Sequence, residues 1–443
     1  MKLSLISLLC LTYFVVLSQN STISGIVTDE NGEPLIGANV FDLNNQKGIA
    51  TNNNGFYSLT INSYETKIQY SFTSMDKLIQ NIVIKNDTII NVKLKSTTLQ
   101  EVIVKANKDI KLEKISTVVL PLEQIKKIPS IGGETDIIKA LGLTPGVSNG
   151  TEGSAGLFVR GGTPDQNLIL LDEAVVYNPN HLFGLLSVFN ADAVKNVELI
   201  KGGFPARYGG RLSSVLDITM KEGSLEKKRT DFGIGLVASR ILLERPIVKD
   251  KLSILIAARA SYLGLIKLPQ YFSYKSGKST DYFNYYLYDC NLKVNYKINN
   301  KNHLYFSIYA GDDNLFTFDK TLISANNKTG AVSENKTYLN WGNRTLTLRY
   351  NNILSSKLFW KNILTFSQFN YKTKVNTNLD SLKQNSSYKI SSGLKDYTYK
   401  SSLDFVPNNM HYSKIGIEVI YHDFTPQSKI YETYDSTKNN IYW

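Results

Sequence analysis

From Tyr286 to Ile298 the chain alternates without interruption. Tyr286, Tyr288, Cys290, Leu292, Val294, Tyr296 and Ile298 share one face of a period of two, and Leu287, Asp289, Asn291, Lys293, Asn295 and Lys297 share the other. Consecutive side chains of a strand point to opposite faces, whereas a helix at 3.6 residues per turn would mix the two sets. The segment is therefore a strand with one apolar face and one mostly polar face. Further runs of this period cover Phe232 to Leu242, Leu252 to Tyr262, Leu304 to Ala310, Leu346 to Tyr350, Leu358 to Phe369, Tyr397 to Phe405 and Ile415 to Tyr421. Such matching predicts about eight strands after Lys227, with Gly311 to Asn314 (GDDN) as a polar turn between two of them.

Two environments accept strands of this kind. One is a soluble sandwich with a wet face; the other is a transmembrane barrel, apolar toward lipid and polar toward its lumen, in strands of about 9 to 11 residues. Residues 1 to 18, MKLSLISLLCLTYFVVLS, have a Lys followed by a mainly apolar run ending at Ser18, the pattern of an export signal. The 27 Tyr beside 19 Phe and 3 Trp concentrate in the strand-rich part, as interfacial aromatic girdles do. Export and girdles favour the barrel. A composition that is 42% hydrophobic and 20% charged excludes a disordered chain and a helical membrane bundle.

Chemistry is sparse. The net charge of +12 comes from basic residues scattered among Asn and Tyr, with no stripe to track a nucleic acid. Cys10 and Cys290 make no disulfide framework. The four histidines, His181, His303, His411 and His422, offer no ligand pair at helical spacing. KSGKST at Lys275 to Thr280 ends like a phosphate loop, but Phe272 stands where the first glycine belongs. No nucleophile, base and orienter group together, and Asp172-Glu173 reads as a strand end. No catalytic, cofactor-binding or metal-ligating residue is expected, and the chain is not expected to be an enzyme.

Residues 19–97 read as short strands and turns, with Asn31-Gly32 and Asn54-Gly55 between alternating apolar residues, which makes a small β-sandwich. Gly25, Asp29, Gly32, Pro34, Leu35, Gly37, Ala38, Val40, Thr51, Gly55, Tyr57 and Leu59 resemble the carboxypeptidase-regulatory-like domain. That resemblance implies an accessory module without peptidase chemistry. The segment departs from it at Ser74-Met75, where such domains often carry a glycine turn. Next comes LQEVIVKA: Leu99, Gln100, Glu101, Val102, Ile103, Val104, Lys105 and Ala106. Such a β-prone segment either closes the sandwich or adds as a strand to the edge of a partner's sheet.

Residues 117–226 are dense in glycine. In order come a helix with a proline-glycine exit at Asp136 to Gly146, the VRGG turn at Val159 to Gly162, the LILLDE strand, a helix before VELIKGG, and PARYGGRLSSVLDI. The ordered set resembles the plug domain of a TonB-dependent outer-membrane receptor. The resemblance implies an α+β plug, a TonB box at Leu99 to Ala106 within a linker spanning 98–116, and TonB as the periplasmic partner. The glycine pairs Gly161-Gly162, Gly202-Gly203 and Gly209-Gly210 permit tight turns and close backbone approach. Arg160 and Arg211 match plug arginines that in this family pair with barrel glutamates, a latch or else a pair of surface turn residues.

The expected fold is thus mainly β: a small sandwich, an α+β plug, and a partial antiparallel transmembrane barrel over 227–443. Receptors of this family close about 22 strands around the plug, so the chain reads as the N-terminal portion of a longer receptor. The expected function is import of an unidentified extracellular ligand through a monomeric barrel in outer-membrane lipid. The competing classes are an outer-membrane surface-binding or structural protein that does not transport, and a truncated, non-functional product. No separate signalling domain is expected before the sandwich, so sigma-factor regulation is not indicated.

Overall fold

The structure, a computed structural model, describes residues 21–97, 116–120, 125–126, 128, 133–149, 156–325, 328–379 and 384–433. The export segment 1–18 and the strand-addition segment Leu99 to Ala106 lie outside the described residues.

The first unit is a sandwich of two small sheets. Its strands are β1 (Ser21–Thr28), β2 (Asn39–Asp42), β3 (Lys47–Ala50), β4 (Phe56–Ile61), β5 (Glu65–Ser71), β6 (Leu78–Val83), β7 (Thr88–Ile89) and β8 (Val92–Lys93). One sheet runs β4-β1-β7 with β8 also on β1; the other runs β3-β2-β5-β6. Nearly all of β1 is buried, although strands at a surface bury only alternate residues. Ile23 and Val27 enter the sandwich core with Val40, Leu59 and Tyr70, while Ile26 points the other way and packs with Phe56 on Ile353 and Phe359 of the third unit. Ser74 takes φ +64°, so a serine holds the left-handed turn that a glycine usually supplies, and Met75 still bridges Ser96.

The second unit centres on a five-stranded mixed sheet. In chain order the strands are β9 (Thr117–Leu120), β10 (Val147–Ser148), β11 (Phe158–Val159), β12 (Asn167–Leu171), β13 (Ala174–Val175), β14 (Asn180–His181), β15 (Leu186–Ser187), β16 (Val194–Ile200) and β17 (Ser214–Met220). The sheet order is β13-β12-β17-β16-β9, and β12 runs parallel to β17. LILL of β12 is a continuous apolar run, and VELI of β16 is apolar apart from the buried Glu198, because helix and wall cover the sheet; Ile169, Leu171, Val197, Leu199 and Ile218 are buried in one cluster. Helix α1 (Ile137–Leu141) is shorter than the proline-glycine exit suggested. Asp136 caps it by accepting from Lys139 N, and Gly142 ends it. The helix expected before VELIKGG is instead a turn, because the Asn190 side chain accepts from Asp192 N and Asn190 O from Ala193 N before β16 begins.

The third unit is one antiparallel sheet of nine strands in sequence order: β18 (Arg229–Ile234), β19 (Ala238–Val248), β20 (Leu252–Ser261), β21 (Asp281–Lys297), β22 (Asn302–Ala325), β23 (Lys328–Ser355), β24 (Leu358–Leu379), β25 (Gln384–Asn408) and β26 (His411–Thr433). Helices α2 (Leu263–Ile266) and α3 (Leu268–Lys275) connect β20 to β21, so KSGKST begins at a helix end. The alternation that opened the sequence is kept: Asp289, Asn291, Lys293 and Asn295 are buried against the plug unit, and Tyr288, Cys290 and Tyr296 are exposed. Two expectations are corrected. Phe232 to Leu242 is not one strand but the β18–β19 hairpin, since Gly235 N bonds Ala238 O. GDDN is not a turn; it lies inside β22, where Asp312 reaches the exposed Arg344 and Asp313 the buried His181. Polar residues that look like a turn are tolerated in mid-strand because both aspartates have charged partners and Asn314 accepts from the Asn340 amide.

At one end of the sheet the strands are joined by short turns, 249–251, 298–301, 356–357 and 409–410; at the other, among the described residues, they are joined by the short 235–237 and by the longer 262–280, which carries both helices.

Candidate functional site

Two buried charge clusters fasten the second unit to the inner face of the wall. In the first, His181 of β14 lies between two wall aspartates: Nδ1 is 2.5 Å from Asp313 Oδ2, and Nε2 is 2.8 Å from Asp289 Oδ1. Arg259 donates through Nε to Asp289 Oδ2 at 2.8 Å and through Nη2 to Ser187 O at 2.6 Å. Tyr309 donates to Asp289 at 2.8 Å, and Tyr285 donates to Asp313. A carboxylate only accepts, so both imidazole nitrogens carry a proton and two positive groups face two negative ones. Burial disfavours that charge, but Asp289 and Asp313 outweigh it and push the His181 pKa up to about 9.

The second cluster lies nearer the short turns. Lys293 Nζ is 3.0 Å from Asp172, 3.2 Å from Glu222 and 3.0 Å from Met220 O, while Arg349 Nη2 is 2.7 Å from Glu222 Oε1. Burial alone would raise the Glu222 pKa; Lys293 and Arg349 prevail and bring it down to about 2. Lys361 pairs with Glu173 at 2.7 Å, with Lys400 at 4.0 Å, and these cations hold the Glu173 carboxyl far below its ordinary value against its burial. Asp172 and Glu173 form the two-residue turn between β12 and β13, with φ +47° and +73°. That turn type favours Asn-Gly, and each left-handed non-glycine residue costs about 1–2 kcal/mol. Wall lysines compensate by holding both carboxylates. The sequence signal was present, an acidic pair where Asn-Gly is usual, but the partners stand 121 and 188 residues away.

The sandwich sits on the short-turn rim and touches each of its turns. Asn409 exchanges two hydrogen bonds of 2.7 Å with the Thr60 backbone, Asn91 Nδ2 donates to Asn300 O at 3.0 Å, Ser356 to Asp87 at 2.5 Å, and Lys93 lies 3.6 Å from Asp250. Phe56 stacks on Phe359 with ring centroids 5.0 Å apart. Glu33 reaches the second cluster: Oε1 accepts from the amides of Glu222 and Gly223, and Oε2 lies 3.1 Å from Lys195.

The arginines singled out in the sequence lie elsewhere. Arg160 is exposed at φ +49° and donates to Ser116 Oγ at 3.0 Å; Arg211 donates to Gly210 O at 2.7 Å. Among the described residues neither has a carboxylate within 4.0 Å. The pairs that cross to the wall mostly have the opposite polarity, with plug-unit carboxylates on wall cations; Arg240 adds Asp192 at 2.8 Å and Glu134 at 3.2 Å. Gly161, Gly202, Gly203 and Gly210 have positive φ. A Cβ on Gly162 would come 2.4 Å from Ser213 Oγ, and Gly209 meets neither constraint.

Residues 111–214 match the family model described as TonB-dependent Receptor Plug Domain, and residues 23–104 match CarboxypepD_reg-like domain. The second unit is a domain of the TonB-dependent receptor plug family. Both clusters therefore hold this plug-family domain against the wall, and the sandwich caps the two together. Among solved structures, the chain is similar to the siderophore receptor PirA from Acinetobacter baumannii at 13% identity, covering 73% of this chain and 59% of that one, TM-score 0.38. PirA from Pseudomonas aeruginosa gives 13%, 72%, 60% and 0.33, and the outer membrane transporter YddB from Escherichia coli 11%, 74%, 57% and 0.32. The chain spans less than two thirds of the length of these receptors. No curated protein matches.

Proposed function

We propose that this chain acts as part of a TonB-dependent outer-membrane transporter whose plug is released toward the short-turn rim. The observation that carries the proposal is the plug's seat: a family-matched plug domain held to a nine-stranded antiparallel wall by paired buried charges set beside an apolar contact with Leu242, Leu255 and Ala257. Paired buried charges keep a single geometry while intact and are strongly destabilised once one partner leaves, so such a seat is firm yet breaks when pulled. Outer-membrane barrels place their short turns in the periplasm. That rule supports a periplasmic sandwich, followed in the chain by Leu99 to Ala106 as the segment that TonB pairs with by strand addition. Main-chain pairing along a strand resists force applied along it. The transported ligand enters from the opposite end.

Deletion of Leu99 to Ala106 tests this directly. The variant, expressed in outer membranes, is expected to lose capture by the periplasmic domain of TonB while its sandwich and plug remain folded. Undiminished capture overturns the assignment.

A further inference from the structure

The Asn31-Gly32 turn, between β1 and β2, seats the sandwich on the peptide that joins plug to wall. Asn31 O accepts from Leu225 N at 2.8 Å, Glu33 Oε1 accepts from Gly223 N at 2.9 Å, and Pro34 O accepts from Lys195 Nζ at 2.7 Å. Gly32 takes φ +89°, and a Cβ there would come 2.7 Å from Leu225 Cδ1, so this close approach requires a glycine.

Beside that contact lies a polar chamber of about 30 Å³ with a side from each unit: Pro34 and Asn54 of the sandwich, Asp172 and Glu222 of the plug, and Arg349 and Asn351 of the wall. The second charge cluster thus borders the sandwich directly. A chamber of this size admits about one water molecule. Asn351 donates through Nδ2 to Asn54 Oδ1 at 3.3 Å, and its buried Oδ1 accepts no hydrogen bond among the described residues. A buried acceptor in that state favours hydration, so the chamber takes up water once its sandwich side opens.

The strength of the cluster depends on its being dry. Ion pairs in a low-dielectric interior attract far more strongly than the same pairs in water. Removing one partner of a buried pair shifts an equilibrium by on the order of a thousandfold, whereas an exposed pair is worth at most about fivefold. We propose that the sandwich is a removable lid over this charge cluster. Docked, it keeps Lys293, Asp172, Glu222 and Arg349 dry; undocked, it admits water, and the pairs weaken toward surface strength while still in contact. Undocking therefore primes the plug without unseating it. The His181 cluster draws its hydrogen-bond partners from plug and wall alone among the described residues, so it stays tight. The proposal rests on the transporter reading only for what removes the lid, a pull on Leu99 to Ala106 between sandwich and plug; its test needs no TonB.

The test follows amide hydrogen exchange in the purified full chain. Met220 N donates to Asp172 Oδ1 at 3.0 Å and reads the covered cluster; Thr60 and Leu225 read docking, and Ser187 reads the His181 cluster. The variant S356A/N409A/F359A removes rim contacts from the wall side and leaves the sandwich and both clusters unaltered. Thr60 and Leu225 are expected to lose protection in it. Met220 should exchange on the order of tenfold faster, and faster still as salt rises from about 0.1 to about 1 M, while Ser187 is unchanged. The unaltered protein should show no such salt dependence. S356A/N409A, which keeps the Phe359 ring, should give the same pattern more weakly, and this separates undocking from misfolding of the wall. Unchanged exchange at Met220 after Thr60 and Leu225 are exposed overturns the proposal. So does acceleration that is equal at Ser187 or indifferent to salt, and so does retained protection at Thr60 and Leu225, because the lid then does not leave.

Discussion

His181 shows how much one side chain can carry. Its pKa lies at about 9 in the folded protein against 6.5 for the free side chain, so its stabilisation is fully present below about pH 6.5 and is lost as pH rises through 9. Amide hydrogen exchange around Ser187, whose carbonyl bonds Arg259 in the same cluster, is expected to speed up across that window. H181Q should flatten the profile, and H181L should cost about 3–5 kcal/mol because two buried aspartates lose their shared partner; denaturant unfolding of the plug measures both. Asp136 offers a second case. One of its oxygens caps α1 at Lys139 N and the other accepts from Ser187 N at 2.6 Å. D136A is expected to lose about 1 kcal/mol of capping and a further 1–3 kcal/mol for the orphaned buried amide.

Among the elements, the β12–β13 turn and β21 are coupled through Lys293. K293M fits the same volume but leaves Asp172 and Glu222 buried without their cation, an expected loss of about 3–5 kcal/mol. Limited proteolysis within the plug should detect the loosened seat. K320M, which removes the exposed pair with Glu334, should change stability by less than about 1 kcal/mol. The strands were visible in sequence to very different extents. β21 was legible because its alternation is strict; β22 was visible only as Leu304 to Ala310 because GDDN interrupts the apolar side. No local property distinguishes a turn from a strand segment whose aspartates are paired with His181 and Arg344. The turn at Asn190 to Ala193 misled in the other direction, where alanines suggest helix but Asn190 side-chain bonding stops it.

At the scale of the whole molecule, the sandwich, plug and wall form a stack with Glu33 at the junction. E33Q combined with F359A is expected to undock the sandwich, since the first weakens an acceptor for two amides and Lys195 and the second removes a stacked ring worth about 3–5 kcal/mol. Cleavage by protease at the exposed turns of the sandwich should rise while the plug stays protected. Protection of both units together would show that the sandwich is not held by this rim. The chain's own periodicity, glycine spacing and turn chemistry determined the order of sandwich, plug and wall and which wall residues face inward, because those properties are local and repeat along the chain. Which charges meet was decided only in the tertiary structure. His181 and its aspartates are separated by 108 and 132 residues, and Glu33 and the amides it holds by 189 and 190. Burial makes such pairing obligatory, but the identity of each partner follows from packing between distant segments, which no local pattern encodes.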